Sequence, residues 1–401
     1  MITREQILKT AQEHDSFYLY DESMILKQIQ TLREHFRDVS FLYSVKCNPN
    51  PEILQTIAGQ GLGADAASAQ EVLASLKAGI KSEDIYYSAP GKSSRDIEQT
   101  LGKCILVADS VGEVERILEE TRKKKETVGI GVRIHPNFSF DQENAAPSKF
   151  GIDEEQFFSH LPKWKEDKIR ICGIHVHLRS QDLDTDRIAR YHQNVLKLAE
   201  KVQKELGYEL DFINLGAGIG IPYGIEDREV DIRKLAEQFE LFKKNVSVKN
   251  ARMLIETGRY LVGNGGFYGM KVLDKKVSRT KTYVILSSTL NGFMRPSLAR
   301  LVEKYAKEEH PAGTEPLFTK TDAFQFTVYT QEEQEEEERV DLVGNLCTAA
   351  DVIAEDILLP RLQPGDVVVV NHAGSYAATL SPFAFASLGR PAEILIHAGT
   401  M

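Results

Sequence analysis

Short β-branched or aromatic runs alternate with longer amphipathic stretches from residue 41 to about residue 257. The runs Phe41–Val45, Leu62–Ala66, Ile85–Ser88, Cys104–Asp109, Val128–His135, Ile171–Leu178, Phe212–Leu215 and Met253–Glu256 read as eight strands. Helical patterns lie between them. Residues 187 to about 206 carry apolar side chains at helical spacing, and Ser68 with Glu71 has the spacing of a capping box. Eight strands alternating with helices predict a closed parallel (β/α)8 barrel. An open doubly wound sheet is the alternative, but eight regular units favour closure.

After Gly265 the texture changes. The runs Phe267–Val272, Thr282–Ser288, Phe324–Tyr329, Arg339–Val343 and Asp366–Asn371 follow closely, with few helical patterns between them. They predict a second, all-β domain of sandwich or barrel type. Phe17-Tyr18-Leu19-Tyr20 is expected to lend that domain a strand. The glutamate-dominated run Gln331–Arg339 reads as a solvated loop or hairpin end with no function. The expected division is an α/β barrel over residues 25–265, and a β-domain from 1–24 and 266–401.

Length agrees with two domains: the chain has 401 residues, 42% apolar and 27% charged, as a globular protein does. A net charge of −10 argues against nucleic acid or an anionic membrane as partner. No apolar run reaches membrane-spanning length, and Met-Ile-Thr-Arg-Glu-Gln is no signal-peptide start. Cys47, Cys104, Cys172 and Cys347 are far apart, without metal-ligand spacing. A cytoplasmic protein with free thiols is expected.

Reactive residue types collect at the C-terminal ends of the predicted strands, where barrel active sites are built. Lys46 ends the first, and Asn48-Pro49-Asn50 stops it. Asp65 ends the second, Arg133 and His135 the fifth, and His175, His177 and Ser180 the sixth. Gly216-Ala217-Gly218-Ile219-Gly220 follows the seventh, and Glu256-Thr257-Gly258-Arg259 ends the eighth. A partly desolvated lysine has a depressed pKa and suits Schiff-base chemistry. A strand-end lysine reaching for solvent is the competing reading. A glycine turn exposes N–H groups to a phosphate, and Arg259 can add a charge-assisted contact. Glu256 could face a protonated ring nitrogen, and the flat His177 could stack on an aromatic cofactor. Lysine, phosphate cradle and acidic partner together describe pyridoxal 5'-phosphate. A metal reading is weaker. His175 and His177 are expected to be split between two faces, and no carboxylate joins them at ligand spacing.

The chain resembles the fold-type III pyridoxal-phosphate decarboxylases, among them diaminopimelate and ornithine decarboxylases. The resemblance rests on Tyr43-Ser44-Val45-Lys46, Asp65-Ala66-Ala67-Ser68 with Glu71, Ser88-Ala89-Pro90-Gly91-Lys92, Lys149-Phe150-Gly151-Ile152 and His175-Val176-His177-Leu178-Arg179-Ser180-Gln181. It continues through Asn214-Leu215-Gly216-Ala217-Gly218, Glu256-Thr257-Gly258-Arg259, Arg295-Pro296-Ser297-Leu298, Cys347-Thr348-Ala349-Ala350-Asp351 and Gly374-Ser375-Tyr376, in the family's order. It implies an alanine-racemase-like TIM barrel followed by the β-domain. It implies that Lys46 carries the cofactor as a Schiff base, that His177 stacks on the ring and that Glu256 pairs with its nitrogen. Asp65 and Glu71 would support Lys46. Ser180, Gly216, Ala217, Gly218, Gly258, Arg259 and Tyr376 would line the phosphate site. Cys347 would donate a proton after carbon dioxide leaves. Its β-domain would reach the partner's site in a homodimer. Arg179, Arg295, Thr348 and Asp351 would meet the substrate.

The departures concern the substrate. Diaminopimelate decarboxylases usually follow the cysteine with a glutamate that reads a distal amine, where this chain has Thr348. They usually place tyrosine at the position of Ala299, and glycine at those of Arg179 and Ala217. Cys-Thr is similar to decarboxylases whose substrates are modified or carrier-bound amino acids. A specialised decarboxylase is therefore expected ahead of a lysine-pathway diaminopimelate decarboxylase. A racemase or epimerase and a non-catalytic cofactor carrier are the remaining readings. Related racemases put an arginine opposite the ring nitrogen, where this chain has Glu256. The carriers lack the β-domain and its cysteine.

Overall fold

The computed structural model describes residues 2–124, 129–140, 145–166, 170–216, 218–305, 323–332 and 335–399. The chain forms two compact units. One comprises Gln30–Gly220 and Glu229–Gly258, and the other Met1–Ile29, Ile221–Arg228 and Arg259–Met401.

The first unit is a closed barrel of eight parallel strands. They are Val39–Ser44, Gly63–Ala66, Ile85–Tyr87, Ile105–Ala108, Gly129–His135, Arg170–His175, Phe212–Asn214 and Arg252–Thr257. Each pairs with its neighbours, and the eighth closes on the first with Met253 opposite Val39 and Thr257 opposite Tyr43. Leu42, Tyr86, Val107, Cys172, Phe212 and Leu254 pack together as one buried cluster. Gly131 and Gly173 make room for the Phe212 ring: a Cβ on either would lie 2.8 or 2.6 Å from it. All eight sequence-predicted strands are present, with shifted ends. Lys46 is off the first strand, in a single 3-10 turn Val45–Cys47, and the sixth strand stops at His175, before His177.

Local signals start and stop the helices. Asn50 accepts from the N–H groups of Glu52 and Ile53 and opens Pro51–Gly59, with proline in the first turn. Asp184 caps Thr185–Leu206, which ends on Gly207 at φ +79°. Ser68 caps Ala69–Lys77 by accepting from Glu71 N–H, but the predicted capping box is half formed. The Glu71 carboxylate turns to Ala67 N–H at 2.6 Å.

The second unit is a curled, mostly antiparallel sheet of eight strands. Ser16–Asp21 pairs antiparallel with Gly266–Ser278 and parallel with Ala392–Ile396. From Gly266–Ser278 the sheet runs one way through Val367–Val370 to Phe326–Tyr329. It runs the other way through Lys281–Leu286 and Glu337–Gly344 to Val352–Pro360. The acidic run is not all loop, because a strand begins at Glu337 and Glu338 pairs with Lys275. Helix Met294–Tyr305 carries the Arg295-Pro296 motif. No helix among the described residues is long and apolar enough to cross a membrane.

Candidate active site

Strand one of the barrel delivers Lys46. The turn that holds it is tied down by Tyr43, whose hydroxyl donates to the Asn48 carbonyl at 2.8 Å. Gly258, at the end of strand eight, passes this turn closely: a Cβ there would sit 2.8 Å from Cys47 Sγ and 3.0 Å from Ser44 Cβ. Lys46 Nζ donates to Asp65 Oδ2 at 2.8 Å; its side chain is 41% exposed and that of Asp65 fully buried. Ser88 Oγ donates to the other oxygen, Asp65 Oδ1, at 2.6 Å. The amine therefore sits at a barrel mouth on an anchored carboxylate. Burial raises the nearby Glu71 carboxyl above its ordinary value, against the pull of its Ala67 hydrogen bond and of Lys46.

Strands five to eight build a second polar cluster. Arg133 lies opposite His175, and His175 opposite Asn214, in the ladder. Asn214 Nδ2 donates to Glu256 Oε1 at 2.9 Å, and His175 Nε2 lies 3.1 Å from the same oxygen. His177 Nδ1 faces Glu256 Oε2 at 3.9 Å. The two histidines thus share a face, as residues two apart at a strand end should. The expectation that they face opposite sides is wrong. Burial opposes the Glu256 charge, yet His175, Lys46 and His177 together hold its carboxyl well below the usual range. Burial pushes His177 down from 6.5 to about 3 against the pull of Glu256, and Arg133, Lys46 and His175 lower it further. Its imidazole is neutral near neutral pH. Arg133 is turned to the backbone: Nη2 donates to the His177 carbonyl at 3.2 Å, while the guanidinium covers the Phe150 ring at 4.6 Å. His135 reaches the Ala146 carbonyl, outside this cluster.

The glycine turn follows Asn214. Gly216 has φ +68°, and a Cβ there would lie 2.3 Å from the Val176 carbonyl oxygen, so no other residue fits. Asp182 N–H donates to the Gly218 carbonyl, and Gly220 N–H donates to the Asp182 carbonyl, both at 2.9 Å. These bonds lock the Ser180-bearing loop onto the turn. Arg179 Nη1 lies 3.4 Å from Asp182 Oδ2, with its guanidinium 5.5 Å from the Phe140 ring centre. Phe140 in turn stacks on Tyr191 at 4.7 Å. Ala217 lies outside the described residues.

Lys92, of the Ser88–Lys92 motif, takes no part in these clusters. It is 1% exposed, and its Nζ donates to Glu113 at 2.9 Å and to the Val107 carbonyl at 2.7 Å.

The second unit holds the remaining candidates. Arg259 Nη1 donates to Tyr223 OH at 2.7 Å, and its guanidinium lies 4.9 Å from the Tyr376 ring centre. Arg295, 1% exposed, lies 5.4 Å from the same Tyr223 ring. Burial opposes ionisation of Tyr223, but the two arginines hold its phenol below the ordinary value. Sequence reasoning missed Tyr223, which lies in the segment Ile221–Arg228 that joins this unit out of barrel sequence. Tyr376 sits at φ +54°. Two residues before it, Gly374 passes the Val262 carbonyl so closely that a Cβ would lie 1.7 Å from that oxygen. Cys347 is an exposed free thiol, and beside it Thr348 Oγ1 accepts from Ala350 N–H at 3.3 Å. Asp351 is buried. It accepts from the Leu290 and Leu346 N–H groups at 3.0 Å and from the Thr289 hydroxyl. Its carboxylate braces the cysteine loop from within.

Residues 22–263 match the family model for the pyridoxal-binding domain of pyridoxal-dependent decarboxylases. The chain is 29% identical to an L-glutamyl-[BtrI acyl-carrier protein] decarboxylase of Niallia circulans, over 96% of this chain and 89% of that protein. It is 30% identical to a diaminopimelate decarboxylase of Helicobacter pylori, over 95% and 90%. The crystal structure of a Helicobacter pylori diaminopimelate decarboxylase complexed with L-lysine superposes with a TM-score of 0.80 at 28% identity. That match covers 95% of this chain and 91% of the other.

Proposed function

Because the chain belongs to the pyridoxal-dependent decarboxylase family, we propose that it removes the α-carboxylate of an amino acid or amino-acid conjugate, with pyridoxal 5'-phosphate held on Lys46. The observation that carries this reading is the half-exposed Lys46 amine anchored on buried Asp65, in the barrel that also buries an ionised Glu256.

The residues suit the cofactor. Gly216, its N–H tied to Asn214 Oδ1 at 2.9 Å, holds the turn in a shape that no other residue fits, and a glycine turn of this kind would offer N–H groups to a phosphate. Ser180, Gly216, Gly218 and Gly258 would surround the phosphate. His177, being neutral, would lie against the ring without adding a cation. Glu256 would face the ring nitrogen. When bound, the cofactor supplies an electron-withdrawing ring for the electron pair of the broken bond.

The protein's own groups would do the rest. A carboxylate held in its charged form keeps a proton on its partner, so Glu256 would retain the proton at the ring nitrogen. Asp65, with Ser88 on its other oxygen, would orient the Lys46 amine. Cys347, on a loop braced by Asp351, would return a proton from Sγ to the carbon that lost its carboxylate. By analogy with the family it would do so in a second copy, in a cytoplasmic homodimer with shared sites.

Thr348 and Ala299 stand where diaminopimelate decarboxylases usually carry a glutamate that reads the distal amine and a tyrosine. Together with the relative that acts on an L-glutamyl carrier protein, they favour a conjugated or carrier-bound amino acid. Arg179, Arg295, Thr348 and Asp351 would meet its distal part. Diaminopimelate is the second reading, supported by the 30% identical relative.

Purified protein supplied with cofactor should release carbon dioxide from a panel of diaminopimelate, lysine, ornithine and carrier-linked glutamate. Cofactor binding with no release from any substrate would overturn the decarboxylase reading. Solvent deuterium exchange at Cα without release would point to a racemase.

A further inference from the structure

We infer that His175 is a positioning residue for Glu256: with Asn214 it holds Oε1, so that Oε2 is the oxygen left to face a bound ring. This rests on the function proposed above.

His175 is the last residue of the sixth barrel strand and is 1% exposed. Among the described residues neither of its ring nitrogens has a hydrogen-bond partner. Its Nε2 nevertheless lies 3.1 Å from Glu256 Oε1, close but off the line of a hydrogen bond. A buried imidazole whose nearest polar contact is a single carboxylate oxygen is costly, and an apolar side chain would fill the position at no such cost. The polarity here is explained by the carboxylate beside it. Asn214, its ladder neighbour, donates to the same oxygen at 2.9 Å. Two groups from adjacent strands thus meet at Oε1, Asn214 through a hydrogen bond and His175 through the 3.1 Å contact. Oε2 is left on the side of His177, 3.9 Å away. The charged and titratable groups around the pair are Glu256 itself from strand eight, Arg133 from strand five, His177 beyond strand six, Lys46 after strand one and Tyr191 from helix Thr185–Leu206. Arg133 is directed to the His177 carbonyl, and Tyr191 OH donates to the Val176 carbonyl at 2.7 Å. His175 and Asn214 are the groups that address Oε1 directly.

The test is a double-mutant cycle on the full chain, without added cofactor, over His175→Leu and Glu256→Gln. Thermal melts at neutral pH are expected to be non-additive. His175→Leu should cost less in the Glu256→Gln background, by about 3 °C or more. Additive shifts would overturn the inference. His175→Phe runs in parallel, so that misfolding of one variant leaves a readable cycle. With pyridoxal phosphate added, His175→Leu is expected to move the pH midpoint of the bound cofactor's visible absorption by about one unit or more. His175→Gln, which keeps an N–H donor, should restore it. An unmoved midpoint in His175→Leu would also overturn the inference. A wild-type chain that gives no visible band refutes the proposed function, and the melting cycle still decides the role of His175.

Discussion

Asp65 is sealed from solvent, yet its Oδ2 accepts a hydrogen bond from the half-exposed Lys46 amine at 2.8 Å. Ser88 occupies the other oxygen at 2.6 Å. A buried carboxylate stripped of one of two partners bears the full cost of the unmet bond. Ser88→Ala is therefore expected to destabilise the chain by about 1–3 kcal/mol. Urea unfolding would measure it, and no loss would show that the hydroxyl does not support Asp65.

Acid should unfold the protein through its buried histidines. Burial lowers His192 from 6.5 to about 4. The unfolded chain therefore binds the extra proton first, and the stability present above pH 6.5 is lost as pH falls through that window. Glu256, lowered from 4.5, acts in the same direction. Glu71, raised by burial, acts in the opposite one. His192→Leu is expected to reduce the stability lost between pH 7 and pH 4 by roughly 2 kcal/mol or more. Equal losses in variant and wild type would refute the assignment.

Gly207 and Gly216 separate two costs of a side chain. Both have positive φ, +79° and +68°, but a Cβ on Gly207 meets nothing within 4 Å, whereas one on Gly216 meets the Val176 oxygen at 2.3 Å. Gly207→Ala should cost about 1 kcal/mol and spare cofactor binding. Gly216→Ala should cost at least about 3 kcal/mol and abolish binding. Cofactor fluorescence titration beside urea unfolding reads both, and similar behaviour of the two variants would contradict the cradle.

Lys92 stands in a family-like motif, but its geometry is structural. Lys92→Met would leave Glu113 buried and uncompensated, at a cost of about 3–5 kcal/mol. The double variant with Glu113→Leu should recover most of that stability. A failure to recover would mean that the Val107 carbonyl contact, and not the ion pair, is what matters.

The barrel was legible because most of its strands are short runs rich in apolar residues, closed by a turn. The strand-end chemistry was legible because parallel strands all point their reactive ends one way. Other features were hidden for physical reasons. Val352–Pro360 carries Glu355 and Asp356 in mid-strand, with Asp356 at φ +52°, which breaks the alternation that marks a strand. Tyr223 gains meaning through Arg259 and Arg295, 36 and 72 positions away. Nothing in Asp351's motif shows that its carboxylate accepts from Thr289, Leu290 and Leu346. The roles of His175 and Asn214 depend on barrel register, which places both at one oxygen of Glu256.

The central claim is that Lys46 carries the cofactor. Borohydride reduction of the pyridoxal-phosphate-loaded protein, followed by digestion and mass spectrometry, should put the reduced pyridoxyl adduct on the peptide containing Lys46, and Lys46→Ala should lose it. An adduct on another lysine, or a trapped adduct that persists in Lys46→Ala, would contradict the claim.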